Sequence, residues 1–309
     1  MTNTLMTDLD VFPLSLGGNV FGWTASEQES FAVLDAYAAA GGNFIDTADV
    51  YSRWVPGHEG GESEAIIGRW LARGGHDDVL VATKVGGSGD GLAPETIRSH
   101  AEASLKRLGR ETIDLYYAHY DDPNTPLEET LATFDELVRA GKVRYIAASN
   151  ITAERLAEAL TISDREGFPR YVALQPHYNL VERDAYEGPL SDLVAREGLL
   201  CFPYFALARG FLTGKYRPGG NGHTSPRAEG ASAYLANPRA VALLGILDEI
   251  AAAHGTSVAA VSLAWLGAQP TVTAPIASAS GVGQVPDLVA AAELELSDDE
   301  LQRLTDASA

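Results

Sequence analysis

The chain has 309 residues, 46% of them hydrophobic, and 42 acidic against 22 basic side chains give a formal net charge of −20. That excess argues against nucleic acid and anionic membranes as partners and reads most simply as a well-solvated surface. No apolar run approaches the roughly 18 residues of a membrane span, no signal-peptide pattern opens the chain, and a lone cysteine, Cys201, excludes an internal disulfide. A single cytosolic domain over residues 1–309 is expected, with no metal-ligand spacing among its His, Cys and acidic residues.

In chain order, residues 5–11 are read as a cap over one end of the fold. A first apolar run closes on Leu16-Gly17-Gly18. The cap signal Thr24-Ala25-Ser26-Glu27 opens a helix through Phe31, Leu34 and Tyr37 that stops at Gly41-Gly42,. Strands are predicted at 43–46, 79–84, 113–119, 143–149, 172–175, 199–204 and 272–277. Between them helices are predicted at about 63–72, 94–108, 126–140, from 152, and 190–196. Residues 205–236, rich in Gly and Pro, read as a long irregular segment of the kind that serves as a lid or functional loop. Helices at about 238–254 and 258–267 precede the last strand, and two more, near 285–292 and 297–304, close the chain.

Eight apolar runs alternate with helices, and the strand ends carry Gly18, Asp46, Lys84, His119, Asn150, Gln175, Tyr204 and Ser278. Parallel strands buried on both faces read as continuous apolar runs. Eight of them, spaced by helices, predict a (β/α)8 barrel with an N-terminal cap, a long loop after strand seven and extra C-terminal helices. Chemistry in that fold sits at the carboxyl ends of the strands. Asp46 and Lys84 on neighbouring strands are placed for an ion pair, and Tyr51 follows Asp46 closely enough to fold back over the mouth. An ammonium beside a phenol is expected to lower its pKa from the ordinary ~10 and make it a proton donor near neutral pH. His119 could bond the same substrate oxygen. The plainer readings are a structural rim pair for Asp46 and Lys84, a satisfied core histidine for His119, and helix caps for Ser149, Asn150 and Gln175. Cys201 is read as core filling.

Several segments together resemble the aldo-keto reductases, in the branch of bacterial oxidoreductases related to the potassium-channel β subunits. They are Asn43 to Tyr51, Val81 to Lys84, Ile113 to His119, Gly141 to Asn150 and Leu207 to Tyr216. The resemblance runs from about Pro13 to Leu304. It implies a catalytic tetrad of Asp46, Tyr51, Lys84 and His119, with Tyr51 as proton donor, Lys84 its modulator, Asp46 orienting Lys84, and His119 orienting a carbonyl. It further implies a nicotinamide bound without a Rossmann fold. Ser149, Asn150 and Gln175 would hold the carboxamide and Tyr204 would stack on the ring. Gly18, Leu207, Arg209, Ser278, Ser280 and Gln284 extend that cofactor site. Trp23, Trp54 and Tyr120 are candidates for the substrate wall, with Phe205 and Tyr234 as further aromatic neighbours.

The chain departs from this pattern in three places. Phe205-Ala206 follows Tyr204 where the family has Ser-Pro, Ser280 stands in place of a common arginine, and Leu288 replaces an asparagine. An arginine fork is the usual bidentate partner of a 2′-phosphate. NADP(H) over NAD(H) is therefore expected, with a modest preference. The expected activity is reduction of an aldehyde, ketone or sugar carbonyl, or oxidation of the matching alcohol, by a monomer or small homo-oligomer. Two alternatives are a cofactor-sensing binding module of the channel β-subunit type and an aldolase that uses Lys84 as a Schiff-base nucleophile.

Overall fold

The punctuated runs become parallel strands in the computed structural model, which describes residues 7–220 and 225–309. These are β1 (Ser15–Gly17), β2 (Phe44–Asp46), β3 (Leu80–Val85), β4 (Ile113–Ala118), β5 (Val143–Ser149), β6 (Tyr171–Gln175), β7 (Leu200–Cys201) and β8 (Ile276–Ala277). Their order in the sheet is β7-β6-β5-β4-β3-β2-β1-β8. The two ends of that order meet through single backbone bonds: the Thr273 N–H donates to the Cys201 carbonyl at 2.8 Å, and the Ile276 N–H to the Pro203 carbonyl at 2.9 Å. The sheet closes, as expected, into a (β/α)8 barrel.

The helices that cover it are α1 (Glu27–Ala39), α2 (Glu62–Leu71), α3 (Pro94–Leu108), α4 (Leu127–Arg139), α5 (Ala153–Glu166) and α6 (Pro189–Glu197). A one-turn α7 (Ala228–Ser232) precedes α8 (Pro238–His254) and α9 (Val258–Gly267), and α10 (Val285–Glu293) and α11 (Asp298–Ser308) follow the last strand. Ser26 and Glu29 form a reciprocal capping box at α1, so the cap signal sets that helix's start. Pro94 opens α3, and Gly109, at φ 64°, ends it, as a left-handed cap position favours glycine.

Strand residues alternate between two apolar layers. Phe44, Ala82, Leu115, Tyr117, Ala147, Ala173 and Phe202 fill the barrel interior. Their neighbours Ile45, Val81, Tyr116, Ile146, Leu174 and Cys201 pack outward under the helices. Both faces are dry, which is why each strand reads as an unbroken apolar run. Leu9 and Val11 pack onto the inner layer beside Leu80, Tyr145 and Leu200; residues 5 and 6 of the expected cap lie outside the described residues.

The last two strands are shorter than the expected 199–204 and 272–277. Pro203 and Pro275 carry no N–H to continue a ladder, and the regular ladder is interrupted at them, with only a single His177–Tyr204 bridge beyond Pro203. Residues 205–236 are less irregular than expected. A 3-10 turn, Ala208–Thr213, buries Phe211 and Leu212, and a second one, Ala233–Ala236, follows α7. No single helix among the described residues is long and apolar enough to cross a membrane. The apolar α9 is almost wholly buried in the core.

Candidate active site

A cavity of about 1030 Å³ opens at the carboxyl ends of the strands, at the top of the range usual for ligand sites. Its floor is the ion pair. Lys84 Nζ donates to Asp46 Oδ2 at 2.7 Å, to the Thr47 carbonyl at 2.7 Å and to the Tyr51 hydroxyl at 3.1 Å. Asp46 and Lys84 are 2% and 0% exposed. A charge pair so dry needs further hydrogen bonds to persist, and Gln175 supplies one, its Nε2 donating to Asp46 Oδ1 at 2.8 Å. β2, β3 and β6 thus each contribute one side chain to a single bonded unit.

The electrostatics correct one expectation. Burial pushes the Tyr51 hydroxyl well above its ordinary range, and the adjacent Asp46 charge adds to that shift. The expected lowering by Lys84 is not found; the opposing charge is that of Arg227, and burial together with Asp46 prevails over it. Burial in turn lowers Lys84, opposed by the charge and hydrogen bond of Asp46. His119, just past β4, is drawn down to about 3, by burial first and Lys84 second. Its ring stacks on Tyr120 at 4.9 Å, and its buried Nδ1 has no hydrogen-bond partner. A Cβ on Gly87 would come within 2.4 Å of that nitrogen, so a glycine there lets the backbone lie against the ring.

A second unit sits beside the first. Asn150 Nδ2 donates to the His119 carbonyl at 2.8 Å and to Ser149 Oγ at 3.1 Å. Ser149 Oγ donates to the Gln175 carbonyl at 2.8 Å, and the Tyr204 hydroxyl to Asn150 Oδ1 at 2.8 Å. Asn150 holds a left-handed backbone at φ 48°. It does not cap α5; Thr152 does, accepting from the Arg155 N–H. His177 covers one face of Tyr204 in a stack at 5.2 Å. The five non-glycine residues with positive φ among the described residues are Ser52, Asn150, Phe205, Ala208 and Arg209. All lie in loops after β2, β5 and β7, and backbone strain of this kind clusters at functional sites.

The other wall is made of loops. Leu207, Arg209, Ser278, Ser280 and Gln284, named above for a cofactor site, all line the cavity. Gly18 does not. It packs against α2, where a Cβ would meet Ser63 Oγ at 2.8 Å, and Gly17 faces the cavity instead. The Ser280 N–H donates to Gln284 Oε1 at 2.8 Å, and Ser278 Oγ to Asn19 Oδ1 at 2.8 Å. Leu288 is buried in the core. Trp54 and Tyr120 line the mouth, whereas Trp23 does not. The Arg227 guanidinium lies 5.2 Å over the Trp23 ring, and the ring's edge meets Trp54. Tyr234 stands away from the cavity, tilted against Phe211 and bonded to Glu182.

Charge distinguishes this cavity from the rest of the surface. Arg53, Arg209, Lys215 and Arg227 line it, while Asp46 is the one acidic residue among the described residues that does. Arg227 donates to Asn19 Oδ1 at 2.9 Å and Arg209 lies 4.5 Å over the Phe205 ring. Neither guanidinium has a carboxylate within ion-pair distance among the described residues. Arg227 and Asn19 carry no motif by which the sequence would single them out. The only signal for Arg227 is the length of the 205–236 segment, and Asn19 merely follows a strand end. No group of His, Cys and acidic residues among the described residues could hold a metal.

Residues 13–309 match the model of the Aldo/keto reductase family. The chain is 35% identical to a protein of Bacillus subtilis named "Uncharacterized oxidoreductase YrpG", over 97% of this chain and 93% of that one. It is 31% identical to Protein tas of Escherichia coli, over 96% and 94%. It is 33% identical to a probable voltage-gated potassium channel subunit beta of Oryza sativa, over 90% and 86%.

Proposed function

The chain belongs to the aldo/keto reductase family, and on that premise we propose that it reduces an aldehyde or ketone, and oxidises the corresponding alcohol, with a nicotinamide dinucleotide as hydride carrier. The observation that carries this reading is the Lys84–Tyr51–Asp46 unit at the cavity floor, with a phenol 3.1 Å from a buried ammonium. A reduced nicotinamide supplies the hydride when bound. The chain's own residues supply the rest. Tyr51, kept as the neutral phenol by burial, holds the proton that the substrate oxygen needs as charge develops on it. Lys84, at hydrogen-bond distance from the same hydroxyl, stabilises the negative charge that proton transfer leaves on Tyr51. Asp46, itself fixed by Gln175, holds Lys84 in place.

His119 is neutral at working pH. Its Nδ1 faces Gly87 without a partner, and an unpartnered lone pair is less costly than an unpartnered N–H. The proton is therefore assigned to Nε2, free to donate to a carbonyl oxygen. Ser149, Asn150 and Tyr204 form a polar and aromatic edge suited to an amide-bearing planar ring. Arg209, Arg227 and Lys215 on an otherwise acidic protein fit a ligand with several phosphates. Arg227 and Ser278 both donate to Asn19 Oδ1, which sets a cation beside the Ser278–Gln284 loop. On that ground we extend the proposal to NADP(H) over NAD(H).

Tyr51→Phe tests the reading. Turnover of an aldehyde panel should fall by roughly 10²–10⁴, while the Kd for the dinucleotide, read by tryptophan quenching, stays put. Wild-type turnover in that variant, on a step shown to be limited by chemistry, would remove Tyr51 as proton donor. Borohydride trapping of a carbonyl compound on Lys84 would favour the aldolase alternative instead.

A further inference from the structure

Behind the catalytic loop lies a cluster that the proposed reaction does not use. His100, on the face of α3, has Nδ1 2.6 Å from Asp49 Oδ2 and Nε2 3.0 Å from Asp90 Oδ2. Asp49 sits between Asp46 and Tyr51 in sequence, and Asp90 lies in the glycine-rich loop between β3 and α3. Carboxylates accept and do not donate, so an imidazole that reaches one with each nitrogen satisfies both only as the doubly protonated cation. The Asp49 side chain is 3% exposed, and its other oxygen, Oδ1, is buried without a partner. Its charge is therefore compensated through one bond, the one to His100.

We propose that His100 is a positioning residue whose imidazolium clamps the Tyr51-bearing loop, through Asp49, to the loop of Asp90, and that this clamp makes the placement of the proton donor depend on pH. The inference rests on the reductase reading for its kinetic consequence, but the clamp itself is independent of it. Asp49 also ties its own N–H to the Lys84 carbonyl at 3.3 Å, so a shift of Asp49 is felt on both sides of the Lys84–Tyr51 contact. The charged groups facing His100 are Asp49 and Asp90, which favour its cation, and Arg107 on its own helix, which opposes it. Arg107 is itself held by Glu64 of α2. The hydroxyl of Tyr116, on β4, feels the charges of both aspartates.

The balance raises the His100 pKa above the ordinary imidazole range, led by the Asp49 bond. A raised histidine contributes stability that is complete below its unfolded pKa of ~6.5 and is lost as pH rises through the folded value. Above that point a lone pair faces one carboxylate, and Asp49 loses its one bonded cation, keeping only the through-space field of Lys84. The loop that carries Tyr51 should then loosen at alkaline pH, and turnover should fall with it.

Three measurements on the full chain test this. Proton–carbon NMR of the histidines, with His100→Gln for assignment, should show His100 titrating above ~6.5 and lower in Asp90→Asn than in wild type. Hydrogen-exchange protection factors at Thr47, Asp49 and Tyr51 should decline with rising pH in wild type and be pH-independent in His100→Arg, whose fork bridges two carboxylates at every pH. Turnover of an aldehyde with NADPH should fall roughly ten- to a hundredfold in His100→Gln, the scale for a small misplacement of a catalytic group. His100→Arg should restore most of that turnover while losing the alkaline limb, and the KM for NADPH should move little in either variant. Titration of His100 at or below ~6.5, or protection factors indifferent to pH in wild type, would overturn the clamp. An intact clamp in a protein that reduces no carbonyl would instead count against the reductase reading alone.

Discussion

The two ends of the cavity are built in different ways. At the strand end Asp46, Lys84, Tyr51, Gln175, Ser149, Asn150 and Tyr204 bond to one another or to backbone in a continuous network. At the loop end Arg209 and Arg227 rest on aromatic faces, and the Ser280 N–H occupies the acceptor of Gln284. The first end is bonded within itself; the second presents two guanidiniums with no carboxylate partner among the described residues. Groups that move a proton must be held to within a fraction of an ångström, which a barrel rim provides. On the proposed function the loop-end guanidiniums would meet phosphate, whose attraction acts over longer range, so a loop suffices to carry them.

Lys84→Met would break this contrast most severely, since it leaves Asp46 buried and unpaired. Loss of one partner from a buried pair costs about 3–5 kcal/mol, and turnover should fall by roughly 10²–10⁴. Chemical denaturation and steady-state kinetics on the same preparation check both effects. Unaltered stability would mean that the network does not order the strand end. At the other end, Arg227→Leu should leave folding intact and weaken NADPH binding by about one to two decades, the worth of a charge-assisted bond. The loss should shrink at high salt.

Acid stability probes the strand end more finely. His119 is held neutral down to about 3, while an unfolded histidine takes a proton below ~6.5. The unfolded state therefore binds the extra proton in that window, and the contribution of His119 declines as pH falls from ~6.5 toward 3. His119→Asn should flatten the stability curve there, read as urea midpoints at a series of pH values. His100 acts in the opposite sense, so His100→Gln should lower those midpoints on the acid side. The smallest effect is expected of Ser280→Arg. With Arg209 and Arg227 already in the cavity, it should tighten NADPH by no more than about tenfold and leave NADH unchanged. A gain of a thousandfold would show that the loop end had no effective phosphate site of its own.

Much of the strand end is legible in the amino-acid sequence. A residue such as Asp46 or Lys84 interrupts an apolar run because the strand leaves the dry interior there, and that is a local property of the chain. The Ser26 box and the Gly109 stop are legible for the same reason. Gly17 rather than Gly18 lines the cavity, because a strand of three residues does not reveal by pattern which glycine faces inward. The lengths of the last two strands are overestimated because continuous apolarity outlasts pairing once Pro203 and Pro275 remove donors. For Tyr51, charge spacing gives the wrong sign of the pKa shift. Neighbouring charges can be guessed from spacing, whereas desolvation depends on everything that packs around the hydroxyl.

The order of elements, the barrel class and the residues at the strand ends follow from periodicity and punctuation, which short stretches of sequence encode. The meeting of Arg227 with Asn19, 208 positions away, and of His100 with two loops from different strands does not. Those contacts depend on the path of loops across the mouth, set by long-range packing and by burial of Phe211 and Leu212, and on which charges are left without water. Only the folded chain determines both.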